Sequence, residues 1–165
     1  MSTATPITTN LPASYYADSS VLVKRHVQEI GTRWFRQLAD PPSANIIITA
    51  QLSIVEVYSA LNRRRRELSI TAADYTTLAG EFATVVKDEY ETVPLSPEVI
   101  DRARRLLERH SLRAGDAIQL ASALLTNDKL QAASFPPATF LTADDHLLGA
   151  ARAEGLTTDD PRLHP

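Results

Sequence analysis

The sequence predicts an α/β protein in which helices sandwich a small parallel β-sheet. Two observations lead to this class. The chain contains both short β-branched or aromatic segments of strand type and longer segments that repeat apolar residues at helical spacing. These two kinds of segment alternate along the chain. Such alternation is typical of strand–helix–strand units, in which a crossover helix joins two parallel strands.

The composition is that of one globular domain. The chain has 165 residues, of which 44% are hydrophobic and 22% charged, and it contains no cysteine. The lack of cysteine excludes disulfide scaffolds, cysteine nucleophiles and thiolate zinc sites. The net charge of -3 means that any binding of a polyanion has to be local, because the whole-protein field does not attract it.

The N-terminal segment differs in composition from the rest of the chain. Residues 1–14 are rich in Thr, Ser and Pro, which predicts a flexible tail before a single domain over residues 15–165. The tail lacks the basic start and apolar run of a secretory signal. The most apolar stretch, Ile46 to Leu61, is too short and polar to span a membrane. We therefore expect a cytoplasmic protein with no membrane contact.

Strands and helices can be assigned in order along the first half of the chain. A short strand over Tyr15–Ala17 stops at Asp18, and one or two helices follow over Val21–Ala39, broken near Gly31. The next elements are a buried strand, two helices and a weak strand. We place them at Asn45–Thr49, Ser53–Arg66, Ser69–Lys87 and Glu91–Leu95.

The second half continues the alternation. Ser96 and Pro97 are a cap followed by proline at the first helical position, and they open a helix that ends near His110. Asn127 and Asp128 are interpreted as a loop. The remaining predicted elements are a helix, a strand, a helix and a last short strand, at Ala114–Leu125, Thr139–Thr142, Asp144–Ala153 and Leu156–Thr158.

Acidic residues follow the predicted strands or open the helices. Asp18 comes after the first strand, Glu56 lies at the start of the next helix, Asp144 and Asp145 follow the strand at Thr139–Thr142, and Asp116 opens an apolar helix. Carboxyl ends of parallel strands share one sheet edge, which is where such folds place their sites. Converging carboxylates require a cation, and an all-oxygen site suits Mg²⁺ or Mn²⁺. The corresponding chemistry is metal-assisted phosphodiester hydrolysis.

Each acid also has a purely structural interpretation. Ser53 and Glu56 have the spacing of a capping box. Asp18 is a possible turn or N-cap residue, and Asp116 a possible partner of Arg113. If Thr142 caps its helix, Asp145 falls at the third helical position and Asp144 at the second.

Four stretches resemble the motifs of PIN-domain nucleases, in order and over nearly the whole chain. They are Tyr16–Lys24, Ser53–Val57, Gly115–Ala123 and Phe140–Leu147, the last continued by Ala150–Leu156. The compact size is similar to that of VapC-type toxins of bacterial toxin–antitoxin pairs. The resemblance implies a PIN-like fold and an Mg²⁺- or Mn²⁺-dependent endoribonuclease. It also implies a homodimer, held inactive by an antitoxin whose C-terminal segment blocks the acidic pocket.

The resemblance also assigns roles to residues. It implies catalytic roles for Asp18, Glu56, Asp116 and Asp144, with Asp18, Asp116 and Asp144 as metal ligands. Ser20 would order the site as a hydroxyl near the first acid. Which of Asp144 and Asp145 is the fourth acid stays open at this point, and Asp145 is kept as a candidate substrate contact.

Basic residues are concentrated in two helices. Arg63–Arg66 end the helix that carries Glu56, and five more arginines lie between Arg102 and Arg113. Arg63 and Arg64 are candidate contacts for RNA phosphates, for which the guanidinium fork is well suited. The alternative is that these cations stabilise helix C-termini or form exposed pairs such as Asp101 with Arg105.

Two other classes of function remain as alternatives. One is a catalytically silent interaction domain on the same fold. The other is a phospho-acceptor module of receiver type, which also clusters aspartates at strand ends. That module is disfavoured because its acid pair should follow the first strand and a lysine the last, whereas here the pair Asp144–Asp145 comes late and no lysine follows it.

Overall fold

The computed structural model describes residues 12–165 and confirms the predicted α/β class. The described part contains five strands, namely β1 (Ser14–Ala17), β2 (Ile46–Ala50), β3 (Tyr90–Val93), β4 (Thr139–Leu141) and β5 (Thr158–Asp159). Its seven helices are α1 (Ser19–His26), α2 (Thr32–Leu38), α3 (Gln51–Arg66), α4 (Ala72–Asp88), α5 (Pro97–Arg109), α6 (Ala114–Ala132) and α7 (Asp145–Ala153). Short 3-10 turns cover Pro41–Ser43 and Pro161–Leu163.

All strand pairs of the sheet are parallel, in the order β3-β2-β1-β4-β5. The first strand is central, with Tyr16 opposite Ile48 on one side and Phe140 on the other. Its carboxyl end therefore lies between the carboxyl ends of β2 and β4. This register brings the loops after three strands to one edge of the sheet.

Two hydrophobic cores lie on opposite faces of the sheet. Successive residues of a strand point to opposite faces, so Tyr16 belongs to one core and Ala17 to the other. The first core packs against α5, α6 and α7, and the second against α1 to α4. The result is a three-layer sandwich, as the sequence predicts.

Two predicted helix boundaries that concern candidate residues are wrong. Helix α3 begins at Gln51, with Ala50 as its N-cap, so Ser53 lies inside the first turn and does not cap it. Helix α6 continues to Ala132, so Asn127 and Asp128 are helical rather than a loop. Asp128 forms an ion pair with Arg102 of α5, an interaction between helices that the sequence pattern does not reveal.

The expected tail over residues 1–14 lies outside the described residues, except for its last three. Of these, Ser14 already belongs to β1. Among the described helices, none is long and apolar enough to cross a membrane.

Candidate functional site

A cavity of about 560 Å³ opens at the edge of the sheet where β1, β2 and β4 end. Its lining includes the carboxylates of Glu56 and Asp144, here called the acidic wall, and a group of cationic side chains, here called the basic wall. These cations are Lys24, Arg63, Arg64 and Arg113. Of the four predicted site acids, Glu56 and Asp144 line this cavity, together with the cations.

Asp18 is buried at the end of β1, with 5% of its surface exposed, and precedes the cavity-lining residues Ser19 and Ser20. It is the N-cap of α1, and its Oδ1 accepts hydrogen bonds from the Val21 N–H at 3.2 Å and from the Ser20 hydroxyl at 2.6 Å. The Thr142 hydroxyl donates to Oδ2 at 2.6 Å. The pKa of Asp18 is raised to about 6, mainly by burial. The three hydrogen-bond donors act to lower it and the charge of Glu56 acts to raise it, each by less than burial.

Ser20 and Thr142 tie the loop after β4 to Asp18. The Ala143 N–H donates to the Ser20 hydroxyl at 3.0 Å, and the Asp144 N–H donates to the Thr142 hydroxyl at 3.1 Å. Because both hydroxyls also bond to Asp18, the segment that carries Asp144 is held against the first strand. The predicted role of Ser20 in ordering the site is consistent with these contacts.

The N-cap of α7 differs from the prediction. Asp144, not Thr142, caps the helix and accepts from the Leu147 N–H at 2.9 Å. Thr142 is instead drawn inward to Asp18, which moves the helix start by two residues. Asp145 becomes the first residue of α7, and its exposed carboxylate pairs with Arg162 at 2.5 Å rather than lining the cavity.

Glu56 is held by a buried network instead of the capping box considered from the sequence. The Gln119 amide donates to Glu56 Oε2 and to the Ser53 hydroxyl, both at 2.8 Å. The Tyr16 hydroxyl donates to Gln119 Oε1 at 2.9 Å. Gln119 is 2% exposed, so it fixes the carboxylate of α3 from the neighbouring helix α6.

Asp116 lies in the first turn of α6, next to the other acids. Burial raises its pKa, and the charge of Asp144 raises it further, with a smaller contribution from Glu56. The backbone N–H and the charge of Arg113 act in the opposite direction. The possible partner Arg113 is thus nearby, but its effect is smaller than the combined effect of burial and the Asp144 charge, so the pKa of Asp116 is raised.

The basic wall is partly neutralised. Arg64 and Lys24 both pair with Glu29, whereas Arg63 lines the cavity. Most arginines of α5 form surface ion pairs, including the predicted pair of Asp101 with Arg105 at 2.7 Å. The α5 group therefore behaves as the structural interpretation expects.

The donor set fits a hard divalent cation in its chemistry. It consists of carboxylate oxygens whose mutual repulsion raises the pKa of Asp116, and a cation would relieve that repulsion. Within residues 12–165, however, no three Asp, Glu or His side chains are arranged to hold one ion. The site has the charge for a cation without a closed cage of ligands.

Sequence reasoning missed the side chains that position the acids. Gln119 and Thr142 are polar residues in apolar surroundings, and both are buried. An amide three residues after Asp116, on the same helix face, was the available signal for Gln119. Glu29 gave no signal, because its contact with Arg64 joins distant elements.

These features define an α/β domain with an acidic cleft at the carboxyl edge of its parallel sheet. The model of the PIN domain family matches residues 15–153. The chain therefore belongs to the PIN domain family. A search of curated proteins gave no match.

Solved structures with this fold include proteins of toxin–antitoxin systems. The chain is similar to a protein in the VapBC2 structure from Rickettsia felis bound to a promoter DNA fragment, with 11% identity, a TM-score of 0.59 and coverage of 89% of this chain and 98% of that one. It is also similar to VapC20 from Mycobacterium tuberculosis, described as a sarcin–ricin loop cleaving toxin. That match has 15% identity, a TM-score of 0.58 and coverage of 87% and 96%. The chain is also similar to FitAcB from Neisseria gonorrhoeae, with 11% identity, a TM-score of 0.56 and coverage of 89% of this chain and 97% of that one. At these identities the similarity establishes the fold.

Proposed function

We propose that this chain is a metal-dependent endoribonuclease and the toxin of a toxin–antitoxin pair. The observation that carries the proposal is the cavity lined by Glu56, Asp144 and several cations, with Asp18 and Asp116 close enough to the other acids for their charges to interact. Membership of the PIN family supports the nuclease activity. The fold shared with VapC20, described as a sarcin–ricin loop cleaving toxin, supports the choice of RNA as substrate.

Asp18, Asp116 and Asp144 are the proposed metal ligands. A bound Mg²⁺ or Mn²⁺ would supply a water of lowered pKa and neutralise charge on the scissile phosphate. Glu56 is held by Gln119 at a fixed place on the acidic wall, from which its carboxylate can orient that water. Ser20 and Thr142 hold the Asp18 carboxylate in place through one hydrogen bond to each of its oxygens. Arg63 and Arg64 are proposed to bind RNA phosphates on the basic wall.

The proposal includes a protein partner and a second copy of the chain. Similar folds occur in VapBC2 and FitAB, each bound to a DNA fragment, and in a toxin–antitoxin complex from Klebsiella pneumoniae. We therefore propose an antitoxin that covers the acidic cavity, a homodimeric toxin and a cytoplasmic location.

Cleavage of RNA by the purified chain tests the function. Single-stranded RNA should be cut in Mg²⁺ or Mn²⁺ and left intact in EDTA. Asp116→Asn should lower the rate at least about 100-fold, because it removes a charged ligand while keeping the side-chain shape. The matched control is Asp128→Asn on the same helix, whose carboxylate pairs with Arg102 outside the cavity.

Two outcomes would contradict the proposal. If Asp116→Asn cuts RNA at the rate of Asp128→Asn, the carboxylate site is assigned wrongly. If the unmodified chain binds RNA or a partner but cuts nothing in either metal, the protein is the silent interaction domain instead.

A further inference from the structure

A single carboxylate occupies the basic wall of the cavity. Glu29 Oε2 lies 2.9 Å from Lys24 Nζ, and Glu29 Oε1 accepts from Arg64 Nη2. Each oxygen of Glu29 thus meets a different cation. One anionic group with two oxygens on two cations is the arrangement that a phosphodiester would also adopt.

The burial of this cluster makes an anion there necessary. The Lys24 side chain is only 7% exposed, while those of Arg64 and Glu29 are 29% and 27% exposed. A buried ammonium without an anion is costly, since it has lost its hydration. Glu29 provides that anion for both cations in the structure of the chain alone, with the charge of Asp160 as a second negative influence on Lys24. A negatively charged group is therefore the replacement that this cluster favours.

Glu29 is attached in a way that permits replacement. It lies in the loop between α1 and α2, where its N–H donates to the Thr32 hydroxyl at 2.8 Å. The Thr32 hydroxyl in turn donates to the Val27 carbonyl at 3.1 Å. These bonds fix the backbone of the loop, so the carboxylate can leave by side-chain rotation alone.

We propose that Lys24 and Arg64 form a subsite for an RNA backbone phosphate, and that Glu29 occupies this subsite until RNA displaces it. The inference rests on the proposed function and deepens it. It adds Lys24 to the substrate contacts and makes Glu29 an internal competitor of the substrate.

RNA fits this subsite better than an acidic peptide does. A phosphodiester chain carries successive anions at regular spacing, so one phosphate can reach the acidic wall with a cation while its neighbour reaches Lys24 and Arg64. Arg63 and Arg113 line the same cavity and extend the basic wall. Release of counterions from RNA offsets the loss of the ion pairs with Glu29.

Binding of a fluorescein-labelled single-stranded RNA 20-mer tests the proposal. Fluorescence anisotropy is measured over a salt series, in the Asp116→Asn background so that RNA is not cut. Adding Glu29→Gln should tighten binding about fivefold, because it removes one competing ion-pair partner. The glutamine oxygen still accepts from Lys24, which limits the effect on folding.

A matched control separates competition from total charge. Glu67→Gln makes the same change of net charge at an exposed residue outside the cavity, at the C-cap of α3. It should alter affinity by less than about twofold. If Glu29→Gln and Glu67→Gln have equal effects, Glu29 does not compete with RNA and the proposal is wrong.

The arginines provide a second, independent comparison. Arg64→Gln should weaken RNA binding about tenfold. It should also reduce the slope of log affinity against log salt concentration by about one, as expected for the loss of one phosphate contact. Arg66→Gln, two residues along the same run and outside the cavity, is its control. This pair decides the question if Glu29→Gln fails to fold, and equal affinities for the two variants would overturn the subsite.

Two further results distinguish this proposal from the proposed function. RNA binding that responds to Glu29 and Arg64, in a chain whose unmodified form cuts no RNA, would overturn the nuclease function and leave the subsite standing. Cleavage by the unmodified chain with unresponsive binding would overturn the subsite alone. If oligoglutamate gains affinity from Glu29→Gln as RNA does, the subsite belongs to an acidic peptide and the RNA assignment is wrong.

Discussion

Two aspartates of the proposed site are also helix caps. Asp18 caps α1 and Asp144 caps α7; Asp144 lines the cavity, and Asp18 precedes the lining residues Ser19 and Ser20. The helix N–H groups stabilise the negative charge, so a cap is a favourable place for a carboxylate that has to stay ionised. A test of these residues therefore has to use substitutions that distinguish the loss of a helix cap from the loss of a proposed metal ligand.

Asp144→Asn and Asp144→Ala separate them. Asparagine can still accept from the Leu147 N–H, so Asp144→Asn should lose at least about 100-fold in cleavage rate with little change in Tm. Alanine removes the cap as well, which costs about 1 kcal/mol and lowers Tm by a further 2–4 °C or so. Cleavage assays and thermal unfolding of both variants check this.

Asp145→Asn is the control for that pair. Its carboxylate pairs with Arg162, which keeps Asp160 as a partner. The variant should retain activity. If it loses activity while Asp144→Asn keeps it, the fourth acid is Asp145 and the register of the motif shifts by one residue.

His26 gives the stability of the protein a pH dependence. Its side chain is 3% exposed, and its Nδ1 is 3.9 Å from the exposed carboxylate of Glu81. The pKa of His26 is lowered to about 4, mainly by burial, with smaller contributions from the charges of Arg25 and Arg36. The distant, hydrated Glu81 does not compensate, because its attraction is screened by water.

We expect His26 to destabilise the fold in acid. The unfolded chain binds a proton on His26 near pH 6.5 and the folded chain only near pH 4, so stability is intact above about pH 6.5 and falls towards pH 4. Between pH 7 and pH 5 the loss should be about 2 kcal/mol larger in wild type than in His26→Phe, measured by urea unfolding. Asp18 also titrates in this window, but it is present in both proteins and cancels. Equal losses of stability in the two proteins would show that the pKa of His26 is not lowered by folding.

At the scale of elements, the C-terminal segment is attached to the helices of the second core. The turn over Pro161–Leu163 packs against α2, and the rings of Trp34 and His164 stack with centroids 4.2 Å apart. Gly31, the N-cap of α2, has a φ of 86° and lies directly against this turn. A Cβ at Gly31 would come within 2.3 Å of the Pro161 carbonyl oxygen.

Gly31→Ala should therefore destabilise the fold through two effects, the left-handed backbone and the clash with Pro161. Gly155 has the same φ of 86° but no atom within 4 Å of an added Cβ, so Gly155→Ala measures the backbone effect alone. We expect about 1 kcal/mol for Gly155→Ala and at least about 3 kcal/mol for Gly31→Ala in the free energy of unfolding. Equal values from chemical denaturation would show that the turn yields without cost.

At the scale of the whole molecule, the sheet brings acids from four separate elements to one edge. A cation that binds this edge in the folded chain alone must stabilise the fold. At a concentration 100 times its Kd, Mn²⁺ should add about 2.7 kcal/mol and raise Tm by roughly 5–10 °C. Thermal unfolding with and without the ion measures the shift.

The control for this shift is the double variant Asp116→Asn/Asp144→Asn. It keeps the α7 cap and removes two proposed ligands, so most of the stabilisation by Mn²⁺ should disappear. An unchanged shift in the double variant would place the ion elsewhere on the molecule.

Most of the architecture could be predicted from the sequence, because it depends on local patterns. Alternation of apolar strands with helices of 3.6-residue period defines the parallel sandwich, and Ser96 and Pro97 mark the start of α5 as predicted. Acids at strand ends converge because parallel strands share a carboxyl edge. The sequence thus determined the fold class, the order of the elements and the four acids that meet at, or next to, one cavity.

The tertiary structure decided what each of these side chains touches. Thr142 does not cap α7 as predicted, because its hydroxyl donates a hydrogen bond to Asp18, 124 residues away. Gln119 rather than Ser53 fixes Glu56, and Glu29 pairs with two cations of the basic wall. A local pattern specifies a helix or a strand, but a hydrogen bond between distant elements depends on register and packing, which exist only once the chain has folded.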